Sequence, residues 1–533
     1  MLLHVRALPA ILATLALAAL ACCGRAPEVP AARAPHLARE VPAHAGARRA
    51  GPSPDVVVVL LDALRADAVD ADESEAVAMP WLSRLARAGT CFTQASASAP
   101  RSLPSLGSVL TGLLPDEHGL TGVDAPRAPL AGVATWARVM AEELGYHTAA
   151  VMGDLPSSVS TALSAGFAHV ERNVSLAQSQ AALDRVALSC PPGKPRFLVV
   201  HADAAAAPYG RAGAARPDAA LHARAAMETL AADAPVRELV LRRATDALQA
   251  ALLAAHPVHG RREAEVARYL YDGLVTDPDA GAADRMAREL EGAYRAGLAQ
   301  VDLALEQLVG GLRQRGLLDG ALLIVAGTHG ESLGEHGMLH HGRALHEEVL
   351  RVPLVVQGPA PFDRPRAVHF SVGMRDLFPS VLEWLGAPLP IDLEGRSWLA
   401  RLAGDAGPGL PVEAQEVRTH HDTGGRSHAL ACSVRNAHWK YVGTYDLAQG
   451  TLVEQAYDLR ADPQGLRNLA SASDGMVRDL PFDPPFCRAV ERARDRLWAG
   501  ATQAAWSQAQ GYSTGRARLL DPRPAAPCDT LPR

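Results

Sequence analysis

The sequence predicts an α/β protein: a doubly wound, mostly parallel sheet with helices on both faces, joined to a smaller C-terminal α+β subdomain. Three observations carry this. Short apolar runs rich in β-branched residues recur at 55–61, 148–152, 197–201 and 322–326, the pattern of strands covered on both faces. Amphipathic stretches at 81–88, 133–144 and 291–315, with apolar positions three and four apart, separate these runs, and such alternation builds parallel sheets. Beyond about residue 405 the character changes to short antiparallel-type segments at 428–434, 439–443 and 456–459, then a helix from roughly Pro485 to Gln508.

The elements follow in order. Arg6 precedes an apolar run from Leu8 to Ala21 that ends in Leu20-Ala21-Cys22-Cys23-Gly24, the layout of a secretion signal. The run is too short for a comfortable membrane span. It resembles a bacterial lipoprotein signal, with Cys22 or Cys23 as the lipidated residue, which implies a periplasmic or outer-membrane lipoprotein that touches the membrane through its anchor. Residues 24–53, rich in Ala, Pro and Arg without an apolar period, read as a flexible tether. The main domain spans 54–405. Its run at 109–113 fits either a strand or a helix, and its Ala-, Arg- and Asp-rich segment at about 212–290 reads as a helical insertion, either a lid or a solvated spacer. The subdomain takes 406–533, and its Pro-rich end from Leu519 is ordered only by docking.

Composition bounds the partners. A net charge of −6 over 533 residues gives no footprint for nucleic acid, and 48% hydrophobic content is that of an ordinary globular protein. Beyond the tether stand Cys91, Cys190, Cys432, Cys487 and Cys528, an odd number without zinc-type spacing, so at most two disulfides form.

Residues 321–353 carry the densest chemical signal. The buried-strand run Leu322-Leu323-Ile324-Val325-Ala326 leads into Gly327-Thr328-His329-Gly330-Glu331, and ligands of open α/β sheets bind at the carboxyl ends of strands. Five histidines, His329, His336, His340, His341 and His346, fall within eighteen residues. Asp62 ends the first strand, where a carboxylate can hold a cation. Ser102 stands at a loop-to-helix junction, suited to capping or to nucleophilic attack aided by the helix dipole. No base lies near it in sequence, and a metal beside it would supply activation.

Seven stretches then stand in one family's order: PDVVVVLLDALRAD, MPWLSRLARAGTCFTQASASAPRSLPSLGSVLTGLLPDEHGL, FLVVHADAAAAPY, YRAGLAQVDLALEQLVGGLRQRGLLDGALLIVAGTHGESLGEHG, HEEVLRVPLVV, RDLFPSVLEWLGAPLPIDLEGRSW, and VRNAHWKYV with YDLRADPQGLRNL. Residues 54–170 and 291–470 resemble the sulfatase family of the alkaline phosphatase superfamily. The resemblance implies an alkaline phosphatase-like sheet, divalent metal, and hydrolysis or transfer of a sulfate, phosphate or phosphonate ester through a covalent intermediate. Sulfated or phosphorylated small molecules, glycans or lipids are the implied partners.

Carried over residue by residue, the resemblance makes Asp62 the first metal carboxylate and Ser102 the nucleophile. One divalent ion (Ca, Mg, Mn or Zn) would be held by Asp62, Ser102, Thr328 and His329, as in the single-metal branch that resembles lipoteichoic acid synthases. His341 would steady the anionic group and serve catalysis, with His201 also at the substrate. The departures are specific. Ala63 replaces a second metal Asp, Thr328 replaces the Asp paired with His329, and Ala206 replaces a group-binding His in the segment after His201. Leu106 replaces the Arg of the formylglycine signal, which disfavours that modification and leaves a serine hydroxyl as nucleophile. A hydroxyl supplies neither the charge nor the second oxygen of a carboxylate, so Thr328 weakens any metal site. The expectation is a sulfatase-type hydrolase, or else a catalytically degenerate relative that binds an anionic envelope ligand or a partner protein.

Overall fold

The computed structural model describes residues 53–69, 78–121, 133–153, 155, 163–203, 205, 280–390, 393–404, 410–422, 425–447, 450–470, 477 and 480–511. The segments expected as signal and tether, most of the expected insertion and the C-terminal end lie outside the described residues.

The main sheet has eight strands. In chain order these are β1 (Val56–Leu61), β2 (Thr90–Phe92), β3 (His147–Met152), β4 (His169–Glu171), β5 (Arg196–Ala202), β6 (Leu322–Gly327), β7 (Leu354–Gln357) and β8 (Arg366–Val368). Their spatial order is β8-β2-β7-β6-β1-β5-β3-β4. β1 pairs in parallel with β5 and β6, β5 with β3, and β3 with β4, while β7 runs antiparallel to both β6 and β2. The expected mostly parallel α/β sheet is what forms.

The all-apolar sequence of β1 has a direct cause. Val56, Val58 and Leu60 enter one core with α2 (Ser102–Thr111), whereas Val57, Val59 and Leu61 enter the other with α1 (Pro80–Ala88) and α5 (Ala280–Gln314). Both faces are covered, so period-two alternation disappears. The run at 109–113 is the end of helix α2 and its cap, with Gly112 in the left-handed conformation at φ 71°. Helix α5 begins at Ala280, so the last part of the segment expected as an insertion is continuous with the helix expected from 291.

The C-terminal subdomain is a meander of β9 (Val412–Asp422), β10 (Gly425–Arg435), β11 (Trp439–Asp446) and β12 (Thr451–Asp458), backed by α7 (Pro484–Gly511). Trp439, Tyr441, Phe482, Phe486 and Val490 form its separate core. A buried ion-pair cluster ties it to the main domain: Arg435 and Lys440, 3.0 and 2.9 Å from Glu347. Breaking one partner of such a cluster leaves an uncompensated buried charge. Of the described cysteines, Cys91, Cys190 and Cys432 are in no disulfide and Cys487 is disulfide-bonded.

Candidate functional site

Strand register assembles the site. Leu60 stands opposite His201 of β5 and Ala326 of β6, and Leu61 opposite Ala202 and Gly327. Side chains alternate along a strand. Asp62, two residues past Leu60, and Thr328, two past Ala326, therefore share with His201 the face that α2 covers. Backbone bonds from Asp62 N to Ala202 O (2.9 Å) and from Thr328 N to Leu61 O (2.9 Å) extend the ladder and fix both residues at the strand ends.

Asp62 is 1% exposed and both its oxygens are engaged. The Thr328 hydroxyl donates to Oδ1 through a short hydrogen bond. His201 Nε2 lies 3.0 Å from Oδ2, an ion-pair approach that falls short of hydrogen-bond alignment, and neither nitrogen of this ring has an aligned acceptor among the described residues. Burial would raise the Asp62 pKa, but His201, with His329 and Thr328, overcomes it and holds the carboxyl far below the usual range. Burial likewise opposes a proton on His201, and the Asp62 carboxylate holds its pKa up regardless. His201, expected at the substrate, has no exposed side chain and faces Asp62 instead.

Ser102 is the first residue of α2, half-buried, and its Oγ lies 3.2 Å from His329 Nε2. Here is the base that the sequence around Ser102 did not reveal. His329 is fully buried, and its Nδ1 lies 2.9 Å from the Gly330 carbonyl, which can only accept. Nδ1 therefore carries the hydrogen, leaving the Nε2 lone pair for the Ser102 hydroxyl. Burial, and then His341 beside it, push the His329 pKa down to about 4, so the ring is neutral at pH 7. Leu106, where the modification signal would have Arg, is 1% exposed in the core.

His341 lies against His329 with ring centroids 4.3 Å apart and ring planes tilted by 43°. Its Nδ1 lies 2.9 Å from Glu331 Oε2, and His340 Nδ1 lies 3.2 Å from Glu331 Oε1. Burial would raise the Glu331 pKa, but His341 and His340 reverse this and hold it down at about 2. Glu331 received no role from the sequence, although two adjacent histidines nine and ten residues on were a usable signal. Arg65 closes the far side, donating to the Glu331 carbonyl at 2.9 Å and pairing with Glu335 at 2.7 Å and with Asp67. Ala63, at the place of a second metal Asp, sits at φ 57°, and its carbonyl accepts from the Tyr294 hydroxyl at 2.8 Å. A cavity of about 490 Å³ opens beside Arg65, Glu335, Glu348 and Arg351, next to these residues but not lined by Ser102.

The residues expected to hold a divalent cation fit one poorly. Asp62, Ser102, Thr328 and His329 provide one carboxylate, one imidazole and two hydroxyls, with the carboxylate already spoken for. Among the described residues no three His, Cys, Asp or Glu side chains are grouped as metal ligands. Hard cations favour several oxygen ligands, usually with more than one carboxylate. The arrangement that remains is a serine hydroxyl on a neutral imidazole acceptor beside a second, carboxylate-held imidazole.

Comparison with known proteins agrees with this architecture. Rat (Rattus norvegicus) arylsulfatase K is 28% identical over 241 residues, 42% of this chain and 40% of the relative. The multifunctional alkaline phosphatase superfamily protein PehA of Trinickia caryophylli is 30% identical over 207 residues, 36% of this chain and 39% of the relative. The chain thus matches about two fifths of the length of each. Among solved structures, a protein in complex with its substrate D-glucosamine-2-N,6-O-disulfate superposes with a TM-score of 0.57 at 18% identity, covering 85% of this chain and 98% of that one. The phosphonate monoester hydrolase of Agrobacterium radiobacter gives 0.55 at 18% identity, covering 85% and 96%. At that identity the likeness shows the fold alone. The profile of the N-sulphoglucosamine sulphohydrolase C-terminal region matches residues 334–478, and that of the sulfatase domain matches residues 54–387. With more than half of its length under the latter profile, the chain belongs to the sulfatase family.

Proposed function

We propose that this protein hydrolyses a sulfate, phosphate or phosphonate ester with the Ser102 hydroxyl as nucleophile. One observation carries the reading: Ser102 Oγ lies 3.2 Å from His329 Nε2, whose other nitrogen is held by the Gly330 carbonyl. In the first step Oγ bonds to the sulfur or phosphorus, its proton passes to His329 Nε2, and the ester oxygen leaves, taking that proton. Water then bonds to the sulfur or phosphorus of the seryl intermediate, its proton passing to His329 Nε2 and from there to Ser102 Oγ as the bond from Oγ to sulfur or phosphorus breaks and the anion is released. His341, oriented by Glu331, steadies the anionic oxygens. Related proteins that act on sulfated sugars or phosphonate esters support this substrate class.

The test is turnover of an aryl sulfate, an aryl phosphonate monoester and a bis-aryl phosphate by the wild-type protein and by Ser102→Ala. Activity that survives the substitution would sink the assignment. A mass spectrum of the Ser102 peptide should show an unmodified serine.

The saturation of Asp62 favours a second reading, an anion-binding family member without turnover. That reading stands if none of the three esters is cleaved while inorganic sulfate or phosphate raises the melting temperature of the wild-type protein but not of His341→Ala.

Export completes the proposal, with lipidation at Cys22 or Cys23. The apolar run Leu8–Ala21 and the disulfide at Cys487 support passage into an oxidising compartment. No described helix is long and apolar enough to cross a membrane. Metabolic labelling with a fatty acid, lost when both cysteines are replaced by serine, tests the anchor.

A further inference from the structure

The side chains around Asp62 depart from a cation site in one consistent direction. A divalent ion at the carboxyl end of β1 would need the Asp62 oxygens together with further anionic or imidazole ligands. Here Oδ1 accepts the Thr328 hydroxyl and Oδ2 has His201 Nε2 at 3.0 Å. The neighbouring position, Ala63, has no side-chain oxygen, and its carbonyl is taken by Tyr294. His329, the other imidazole within reach, spends Nδ1 on the Gly330 carbonyl and offers Nε2 to Ser102.

These positions are not loop accidents that an ion would reorganise cheaply. His201 lies inside β5, opposite Leu60, while Asp62 and Thr328 directly follow β1 and β6 and are bonded into the ladder. Asp62, Thr328, His201 and His329 are each at most 1% exposed. Pulling Thr328 away from Asp62 to admit an ion would leave its buried hydroxyl unsatisfied, and moving His201 would take the carboxylate's ion-pair partner from it. Among the described residues no three His, Cys, Asp or Glu side chains group as metal ligands, and His329 has both nitrogens engaged, so an ion bridging Asp62 Oδ2 and His201 Nε2 would lack a free third ligand of those types. Hydroxyls alone are weak ligands for completing such a shell.

We infer that the Asp62 site is metal-free by construction, with the His201 imidazole and the Thr328 hydroxyl standing where a divalent cation would bind the carboxylate. The pair gives Asp62 a built-in counterpart. The protein therefore keeps the sulfatase fold and its strand-end carboxylate without depending on a divalent ion, whether or not Ser102 turns over an ester.

The experiment measures metal content and thermal stability of the full chain, not activity. Wild-type protein purified from metal-replete medium is assayed by elemental mass spectrometry, then melted with EDTA and with Ca, Mg, Mn or Zn added singly. The expected result is far less than one ion per chain and an unchanged melting temperature under every condition. A stoichiometric ion, or a fall in melting temperature with EDTA, overturns the inference. The companion variants are Thr328→Asp and the double variant Thr328→Asp with His201→Ala, which supply a second carboxylate and remove the imidazole. Each should melt lower than wild type without added metal. The double variant should then gain several degrees with at least one of the four ions, as ligand linkage requires. A double variant that folds yet gains nothing from any ion also overturns it, because the block would not be Thr328 and His201. Where the double variant does not fold, the wild-type measurements alone decide.

Discussion

Gly330 packs so closely against Glu348 that a Cβ added there would lie 2.1 Å from the Glu348 carbonyl oxygen. The contact is held by Gly330 N donating to Val349 O at 2.6 Å and Glu331 N to Glu348 O at 3.0 Å. Glycine is needed at this position for close approach rather than for a left-handed turn. The same residue offers the carbonyl that sets the His329 tautomer. Gly330→Ala should therefore cost roughly 1–3 kcal/mol of stability through overpacking. It should also lower turnover, since the carbonyl must move with the backbone. Chemical denaturation and the turnover per folded molecule check the two effects separately.

Ser102 and His329 act as a unit in the proposed chemistry, so their substitutions should not add. His329→Gln retains much of the ring's volume but loses the base, and should lower kcat by about 10²–10⁴-fold. Ser102→Ala should reduce turnover to background. The double variant should be no slower than Ser102→Ala alone, because one step is already lost. Additive losses would show that His329 serves something other than the Ser102 proton.

The limits of the sequence are instructive here. Strands β1 and β6 were readable because burial on both faces removes polar residues from them, and α2 was ambiguous because a short apolar run fits either period. β7 could be seen as apolar, but its antiparallel direction depends on pairing with β6 and β2 and leaves no local trace. Ser102 and His329 are 227 residues apart, and only a family resemblance could put them in one site. His201 is a different case. Its motif suggested a substrate contact, while the register opposite Leu60 turns it toward Asp62. Parity along β1 and β5 contains that information, but only once the register is known.

Glu348 offers a test of stability against pH away from the nucleophile. Burial pushes its pKa from 4.5 up to about 7, against partly compensating backbone and Lys440 contributions, and Ser332 Oγ donates to its Oε1 at 3.1 Å. For an acid whose folded pKa is raised, the stability contribution is fully present below the unfolded value near 4.5 and is lost as pH rises through about 7. Glu348→Gln keeps an acceptor for Ser332 and removes the buried charge. It should melt like wild type near pH 4 and a few degrees higher at pH 8. Equal melting temperatures at pH 8 would mean that the carboxylate is hydrated or paired through the adjoining cavity.

In the proposed chemistry Glu331 is a positioning residue, acting through His341 rather than on the substrate. Its two oxygens hold His341 and His340, and the pair keeps its pKa at about 2 rather than 4.5. A depressed acid contributes stability that is present above the unfolded value and is lost as pH falls from about 4.5 toward 2. Glu331→Gln keeps one acceptor oxygen but sets an amide nitrogen against a second imidazole, so His341 loses its fixed orientation. Turnover on an anionic ester should fall about 10- to 100-fold, as small misplacements of a binding group do. The loss should appear in both kcat and KM, and the acid unfolding transition of the variant should become shallower over the same pH window. A purely structural carboxylate would lower the melting temperature yet leave kcat and KM of the folded enzyme unchanged. Measuring both on one preparation separates the roles.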